Sequence, residues 1–151
     1  MVTQLLVASV VTMINIAIHA YAMSGVVYVD NRNRLFAFNL WPMHGLALRM
    51  ILVVAVLNVA HLTEIGVWAV AYHLLDVLRS DAHPFYFAFL NFATLGSGEA
   101  VLAPEWRLIG PATAMNGIML LGWSTAVIFS VLTRFDTDLV GDRDDGDKPA
   151  S

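Results

Sequence analysis

The sequence predicts an all-α membrane protein with three transmembrane helices and one shorter helix that enters the membrane without crossing it. Of its 151 residues, 58% are hydrophobic and 13% are charged, whereas about 25% of the residues in a soluble domain are charged. Three apolar stretches are long enough to cross a bilayer, which takes about 20 helical residues. A fourth apolar run, residues 84–95, is too short to cross.

The three long stretches give the predicted transmembrane helices in order. The first covers residues 4–29 and ends at the polar sequence DNRNR, the second covers residues 46–75, and the third covers residues 108–133. Residues 30–45 form the predicted connection between the first two. No basic residue precedes the first stretch, and its apolar run is longer than that of a secretory signal. We therefore expect it to be retained as a helix.

The short apolar run PFYFAFLNFATL is predicted to be a re-entrant helix. Pro84 suits the first position of a helix, and Gly96 suits the position just after its end. A glycine-rich return through lipid would expose backbone polar groups, so it is allowed only where protein or a water-filled pore surrounds it. The segment ATLGSGEA, residues 93–100, is therefore expected to face protein or water.

Basic residues near the ends of the spans predict the orientation, because cytoplasmic segments carry an excess of them. Six flank the first connection or follow the third span, and two lie on the opposite side: Arg32, Arg34, Arg49, Arg134, Arg143 and Lys148 against Arg79 and Arg107. We therefore expect the N-terminus and the re-entrant loop outside, and the first connection and the C-terminus in the cytoplasm.

The composition also excludes several classes of protein. Residues 136–151 form a tail in which eight of sixteen residues are charged, a composition that predicts disorder. The absence of cysteine excludes disulfides and thiolate metal sites. The chain shows no basic nucleic-acid patch, no nucleophile–histidine–acid set and no phosphate-binding loop. We expect neither an enzyme nor a nucleic-acid-binding protein.

The order helix, short helix, T-x-G-x-G followed by an acid, and helix resembles the pore module of potassium channels. Residues 46–135 carry the resemblance, with an outer helix at 46–75, a pore helix at 84–95, a filter at 94–99 and an inner helix at 108–133. The chain looks most like small bacterial members of the two-transmembrane ion channel family that have one additional N-terminal helix. The resemblance implies a protein of the bacterial inner membrane.

The resemblance implies that TLGSG is a selectivity filter. Such filters replace the hydration shell of an ion with carbonyl oxygens, and alternate glycines permit the left-handed conformations that turn these carbonyls one way. The implied ion-binding residues are Thr94, Leu95, Gly96, Ser97 and Gly98. One chain supplies one loop, so the resemblance implies a homotetramer in the lipid bilayer. It would conduct cations passively, potassium in this family, without a further cofactor.

Two positions depart from the family pattern. Glu99 stands where the family has aspartate and keeps a negative charge at the outer mouth. Ser97 stands where the family has a tyrosine that packs against pore-helix aromatics, and Tyr86 and Phe87 fill the places of those aromatics. Serine is too short for that contact. Three interpretations stay open: a potassium channel, a non-selective cation channel, and a non-conducting membrane subunit or assembly protein with the same fold.

The third span holds small and polar residues with implied or expected roles. By resemblance, Asn116 faces the cavity below the filter and Gly117 lets the inner helix bend. The alternative for Gly117 is close packing between helices. The hydroxyls of Ser124 and Thr125 are expected to bond to backbone carbonyls.

The second span carries a polar stripe of Asn58, His61 and Glu64 at helical spacing. A carboxylate inside a membrane is costly and is therefore a functional hypothesis by default. The spacing of His61 and Glu64 is that of helical carboxylate metal sites, but His19 and His73 are the few further ligands, and no metal is predicted. Structural hydrogen bonding of Glu64 to the pore helix or a neighbouring span is preferred. A pH-sensing role for His61 and Glu64 is the other alternative.

The first span lies outside the resemblance, and its role stays open. It can pack against the outside of the pore module, contact a neighbouring subunit, or bind a membrane partner.

Overall fold

The computed structural model describes residues 1–33, 42–78, 83–96 and 102–146. Within these residues the chain forms four α-helices and one 3-10 turn: α1 (Val2–Asn33), α2 (Pro42–Leu74), α3 (Pro84–Phe92), the turn Pro104–Trp106, and α4 (Ile109–Gly146). The described residues contain no β-strand beyond an isolated bridge between Leu78 and Leu102. The predicted all-α class is confirmed.

Three helical segments are long and apolar enough to cross a membrane: Val2–Tyr28, Gly45–Leu74 and Pro104–Arg134. The three predicted spans are therefore confirmed, and the protein is an integral membrane protein. Within the single chain, 28% or less of each apolar window is buried. Most of the helical surface is thus left for lipid or for other chains.

One face of α1 packs along α2 and α4. Its buried residues recur at every third or fourth position: Gln4, Ala8, Val11, Asn15, His19, Met23 and Val26. Hydrogen bonds join this face to Leu108, Asn116 and Ser124 at nearly constant sequence separations of 104, 101 and 105. The two helices therefore run parallel and in register. The sequence leaves the role of the first span open between packing against its own chain, contact with a neighbouring subunit and binding of a membrane partner. Within the single chain it packs against α2 and α4.

The segment that precedes α3 and the segment that follows it are hydrogen-bonded to each other. Two residues after the end of α2, Asp76 adopts the left-handed conformation, at φ 47°. Just beyond it, the carbonyl of Val77 accepts a hydrogen bond of 3.0 Å from the amide of Ala103, and Leu78 bridges to Leu102. The loop that holds α3 therefore begins and ends at one place, next to the end of α2.

Two helices extend beyond their predicted ends. α1 continues to Asn33, into the predicted connection 30–45, and α4 continues to Gly146, into the segment 136–151 for which we predict disorder. The prediction of disorder is therefore wrong as far as Gly146, while residues 147–151 lie outside the described part of the chain. The physical reason is cooperativity, because each residue added to an existing helix gains a backbone hydrogen bond without a new nucleation cost.

Candidate functional site

α3 is the short helix that the sequence predicts to enter the membrane without crossing. Its nine residues, Pro84–Phe92, give a length of about 14 Å, half of what a bilayer core requires. One face is buried against α2 and α4. On this face the Phe87 ring packs edge-on against the Tyr72 ring, with 5.2 Å between the ring centroids. Tyr86 lies on the opposite, exposed face. Of the two aromatic residues predicted beside the filter, Phe87 therefore points into the subunit instead.

The end of α3 is a Schellman motif, a pair of hydrogen bonds closed by a left-handed residue. The amide of Leu95 donates to the carbonyl of Leu90 at 2.8 Å, and the amide of Thr94 donates to Asn91 at 2.9 Å. Thr94 is the left-handed residue, at φ 61°, although the sequence predicts a stop at Gly96. Threonine is β-branched, so this conformation costs about 1–3 kcal/mol. Surrounding contacts must hold it.

The first three residues of the predicted filter lie at the surface of the single chain. Thr94, Leu95 and Gly96 are exposed, and Leu95 is 72% exposed. Gly96 has a φ of 87°, a left-handed conformation that glycine adopts without steric cost. Ser97, Gly98 and Glu99, the remaining predicted filter and mouth residues, lie outside the described residues.

Gly117 of α4 supports the end of α3 through backbone contact. A Cβ atom at this position would lie 2.1 Å from the carbonyl oxygen of Phe92. No residue with a side chain fits here unless one of the two backbones moves. This contact is the close helix packing that stands as the alternative to a hinge at Gly117.

Asn116 is buried between three helices and does not face a cavity. It is 1% exposed, and its Oδ1 accepts hydrogen bonds of 2.9 Å from Asn15 Nδ2 on α1 and of 2.9 Å from Trp68 Nε1 on α2. A side chain buried within one chain cannot line a cavity enclosed by several chains. The predicted cavity role is therefore wrong, because a buried amide needs donors and α1, which lies outside the resemblance, supplies one of them.

Further along α1 and α4 from the amides of Asn15 and Asn116, four side chains from α1, α2 and α4 form a closed polar ring. Glu64 Oε1 lies 2.8 Å from His19 Nδ1, and Glu64 Oε2 lies 2.8 Å from His61 Nδ1. On the far side, Ser124 Oγ lies 2.9 Å from His61 Nε2 and 3.5 Å from His19 Nε2. The side chains of His19 and Glu64 are 0% exposed, and that of His61 is 14% exposed. The predicted bond of Glu64 to a neighbouring span is confirmed, and its partner is α1.

The arrangement of α2, α3, the loop that begins at Thr94, and α4 can now be compared with known families. Residues 60–134, about half of the chain, match a family model described as an ion channel. This region belongs to the two-transmembrane ion channel family, of the potassium-channel pore-loop type. No curated protein and no solved structure matches the chain.

Membership of the ion channel family separates the chain into two parts. The match begins within α2 and ends at Arg134 of α4, so it contains α3, the loop and most of α4. α1 lies outside the match, yet its Asn15 and His19 bond to residues inside it. The channel module of this protein is thus completed by a helix that the family model does not contain.

The polar ring also has the composition of a metal site. His19, His61 and Glu64 each offer one ligand atom, and these atoms lie within 4.8 Å of one another. His73, the other ligand considered, is exposed. Asn58 is exposed as well and donates to the carbonyl of Val54 at 3.0 Å, so the ring includes two of the three residues of the predicted stripe.

Ser124 and Thr125 are both predicted from the sequence to bond to backbone carbonyls. Thr125 bonds to the carbonyl of Leu121 at 3.0 Å as predicted, but the prediction for Ser124 is wrong because its hydroxyl contacts two imidazoles instead. The spacing of polar residues along α1 and α4 could have indicated this polar ring. Asn15 and His19 are four residues apart, and Asn116 and Ser124 are eight apart, so each pair lies on one helix face. Polar residues that share a face of an apolar span point towards protein.

Proposed function

We propose that the protein is a homotetrameric cation channel whose selectivity filter is TLGSG, residues 94–98, and that potassium is the permeating ion. One observation carries the proposal. A re-entrant helix of the ion channel family is buried on one face and ends in exposed, left-handed residues, Thr94 and Gly96. Exposed backbone inside a membrane is tolerated only where other protein or water surrounds it. Four such loops around one axis would provide both protein neighbours and a water-filled pore.

The polarity of α3 favours a cation. A helix carries a partial negative charge at its C-terminus, and α3 presents this end to the loop that begins at Thr94. Glu99 would add a formal negative charge at the outer mouth, where it concentrates cations. The carbonyl groups of the loop would then replace water around a dehydrated ion.

The exposed face of α4 is suited to line the cavity in place of Asn116. Its residues recur at helical spacing, and all are apolar or small: Met115, Met119, Gly122, Ala126 and Phe129. A tetramer would cover part of this face and leave the rest to water below the filter. The proposed cavity is therefore apolar.

The outer face of α1 is suited to lipid or to a further membrane partner. Most of its exposed residues are apolar, and they include Leu5, Leu6, Val10, Met13 and Ile14. Because α1 and α4 run parallel, the N-terminus lies on the same side of the membrane as the loop. We place that side outside and the C-terminus in the cytoplasm of a bacterial inner membrane, on the distribution of basic residues.

Ion-replacement measurements on the purified full-length protein in planar bilayers test the proposal. We expect a cation current whose reversal potential follows the potassium gradient. Gly96→Ala should reduce this current at least about tenfold, because the left-handed φ of 87° disfavours any side chain. A Cβ at Gly96 meets nothing within 4 Å, so the effect is conformational rather than a clash. Gly66→Ala, also with nothing within 4 Å, is the matched control and should conduct normally.

Each alternative corresponds to a different result. Equal permeability to potassium and sodium would replace the selective filter with a non-selective cation pore, the outcome that Ser97 makes the main competitor. An intact tetramer without current would indicate a non-conducting subunit. A clean monomer or dimer in mild detergent would refute any pore, because one or two loops cannot enclose an ion.

A further inference from the structure

The polar ring has a side that can bind a metal ion and a side that can hold the metal ligands in place. On one side, His19 and His61 each turn Nδ1 towards a different carboxylate oxygen of Glu64, at 2.8 Å in both cases. On the other side, both imidazoles turn Nε2 towards Ser124 Oγ, which lies 2.9 Å from His61 and 3.5 Å from His19. Two nitrogens and a carboxylate therefore face one another inside three packed helices.

This ligand set is one that transition metals prefer. Two imidazoles and one glutamate form a known zinc site in which water takes the fourth position. Imidazole nitrogen favours zinc and its neighbours in the periodic table, whereas magnesium and calcium prefer oxygen ligands. From the sequence, too few ligands stand near His61 and Glu64 to predict a metal. The fold supplies the third ligand, because α1 brings His19 within 2.8 Å of Glu64.

The distances between the ligand atoms are close to those that one ion requires. Two ligands that each lie about 2.1 Å from a tetrahedral zinc ion are about 3.4 Å apart. In the structure the two nitrogen–oxygen contacts are 2.8 Å long, and the ligand atoms of the three residues all lie within 4.8 Å of one another. An ion would widen the two short contacts by about 0.6 Å, which small rotations of the side chains provide.

Ser124 is placed to orient both imidazoles for metal binding. A hydroxyl oxygen accepts two hydrogen bonds, but its single hydrogen serves only one acceptor. Two Nε2–H groups can therefore both donate to Ser124, which leaves both Nδ1 atoms free to bind an ion. Metal-bound histidines usually donate their other ring N–H to such a partner. Without an ion, each Nδ1–H donates to Glu64 and the hydroxyl donates to His61, so that among the described residues His19 Nε2 is left with the 3.5 Å contact.

A metal ion would also supply a positive charge next to a buried carboxylate. The side chain of Glu64 is 0% exposed, and buried charges are normally paired or bound to metals. The apolar span of α1 contains no Lys or Arg. Arg49 of α2 and Arg134 of α4 are fifteen and ten residues from Glu64 and Ser124 in their helices, or roughly 22 and 15 Å away. Neither arginine can neutralise an ionised Glu64.

We infer that His19, His61 and Glu64 bind one divalent transition-metal ion of the zinc type, and that Ser124 orients the two imidazoles. The ion would join α1 to the channel module through ligands from α1 and α2. Of the three ligands only His61 has exposed surface, 14% of its side chain, so the ion would enter past this ring. The inference goes beyond conduction and does not depend on it.

The experiment measures zinc binding by the full-length protein, purified without a histidine tag, stripped with a chelator and placed in lipid nanodiscs. After addition of zinc and desalting, wild type should retain about one zinc per chain. Zinc should also raise the midpoint of thermal unfolding, because a ligand that binds the folded state stabilises it. Magnesium should leave the midpoint unchanged.

Three variants separate metal binding from packing. Glu64→Gln keeps the hydrogen bonds to the imidazoles, because an amide both accepts and donates, but it should lose the retained zinc and the zinc-dependent shift. His73→Ala removes an exposed imidazole from the same helix and should bind zinc like wild type. Ser124→Ala should still fill at excess zinc, with an affinity about 10–100-fold lower.

X-ray absorption at the zinc edge tests wild type directly, and its result stands even where a variant does not fold. Two imidazoles should appear among the four ligands. A zinc shell without two imidazoles would overturn the inference, as would an equal zinc response in wild type and Glu64→Gln, because each would place the ion elsewhere. Wild type that neither retains zinc nor is stabilised by it would overturn the inference too, and would leave the ring as a hydrogen-bonded contact between helices.

Discussion

Replacing Gly117 with alanine tests how closely α4 supports the end of α3. The new Cβ would lie 2.1 Å from the Phe92 carbonyl oxygen, whereas ordinary contact begins at 3.4 Å, so the two backbones must separate by about 1.3 Å. Because both contacting groups are backbone, no side chain can rotate away. Overpacking of this kind costs about 1–3 kcal/mol. The displaced residue is two positions before Thr94, so the start of the loop should move as well.

The measurement is thermal unfolding of the full-length protein in nanodiscs, with Gly66→Ala on α2 as the matched control. A Cβ at Gly66 meets nothing within 4 Å. Alanine gains up to about 1 kcal/mol over glycine in a helix, so the control should be neutral or stabilised. The difference between the two variants isolates the clash. Equal stability would show that the two backbones are not in contact and would refute the assigned support.

Two further substitutions test hydrogen bonds that anchor the loop region. Gln4→Ala removes the acceptor of the Leu108 amide, a bond of 3.0 Å, and should cost about 1 kcal/mol in thermal unfolding; Gln4→Glu keeps an acceptor oxygen and should lose less, and the opposite order would contradict the contact. Tyr72→Phe removes the hydroxyl that bonds to Thr113 and should cost about 1 kcal/mol. Tyr21→Phe, at an 81% exposed residue, should cost nothing, and equal losses would argue against the Tyr72 bond.

Features that depend on one helix or one short segment could be predicted from the sequence. The three spans follow from apolar length, and the position of α3 follows from Pro84 and a run too short to cross. The family assignment follows from the order of these elements around TLGSG. Each of these signals is local, so the sequence contains all of the information needed to read it.

Features that depend on packing between helices could not be predicted in the same way. The resemblance places Asn116 in the cavity, but it does not include α1, whose Asn15 turns that amide inwards. Periodicity indicates that His19 and Ser124 lie on polar faces of their helices. It does not give the register that brings both to Glu64, since register is set by the fit of whole faces.

The helix stop at Thr94 has a consequence for assembly. Its hydrogen bonds, from Thr94 to Asn91 and from Leu95 to Leu90, lie within one chain, and its backbone support comes from Gly117 of the same chain. The entropy of ordering this turn is therefore lost when the subunit folds and not when subunits meet. Preorganised surfaces associate with a smaller entropic penalty. Subunits that arrive with this turn already formed need a less extensive contact to reach a given affinity.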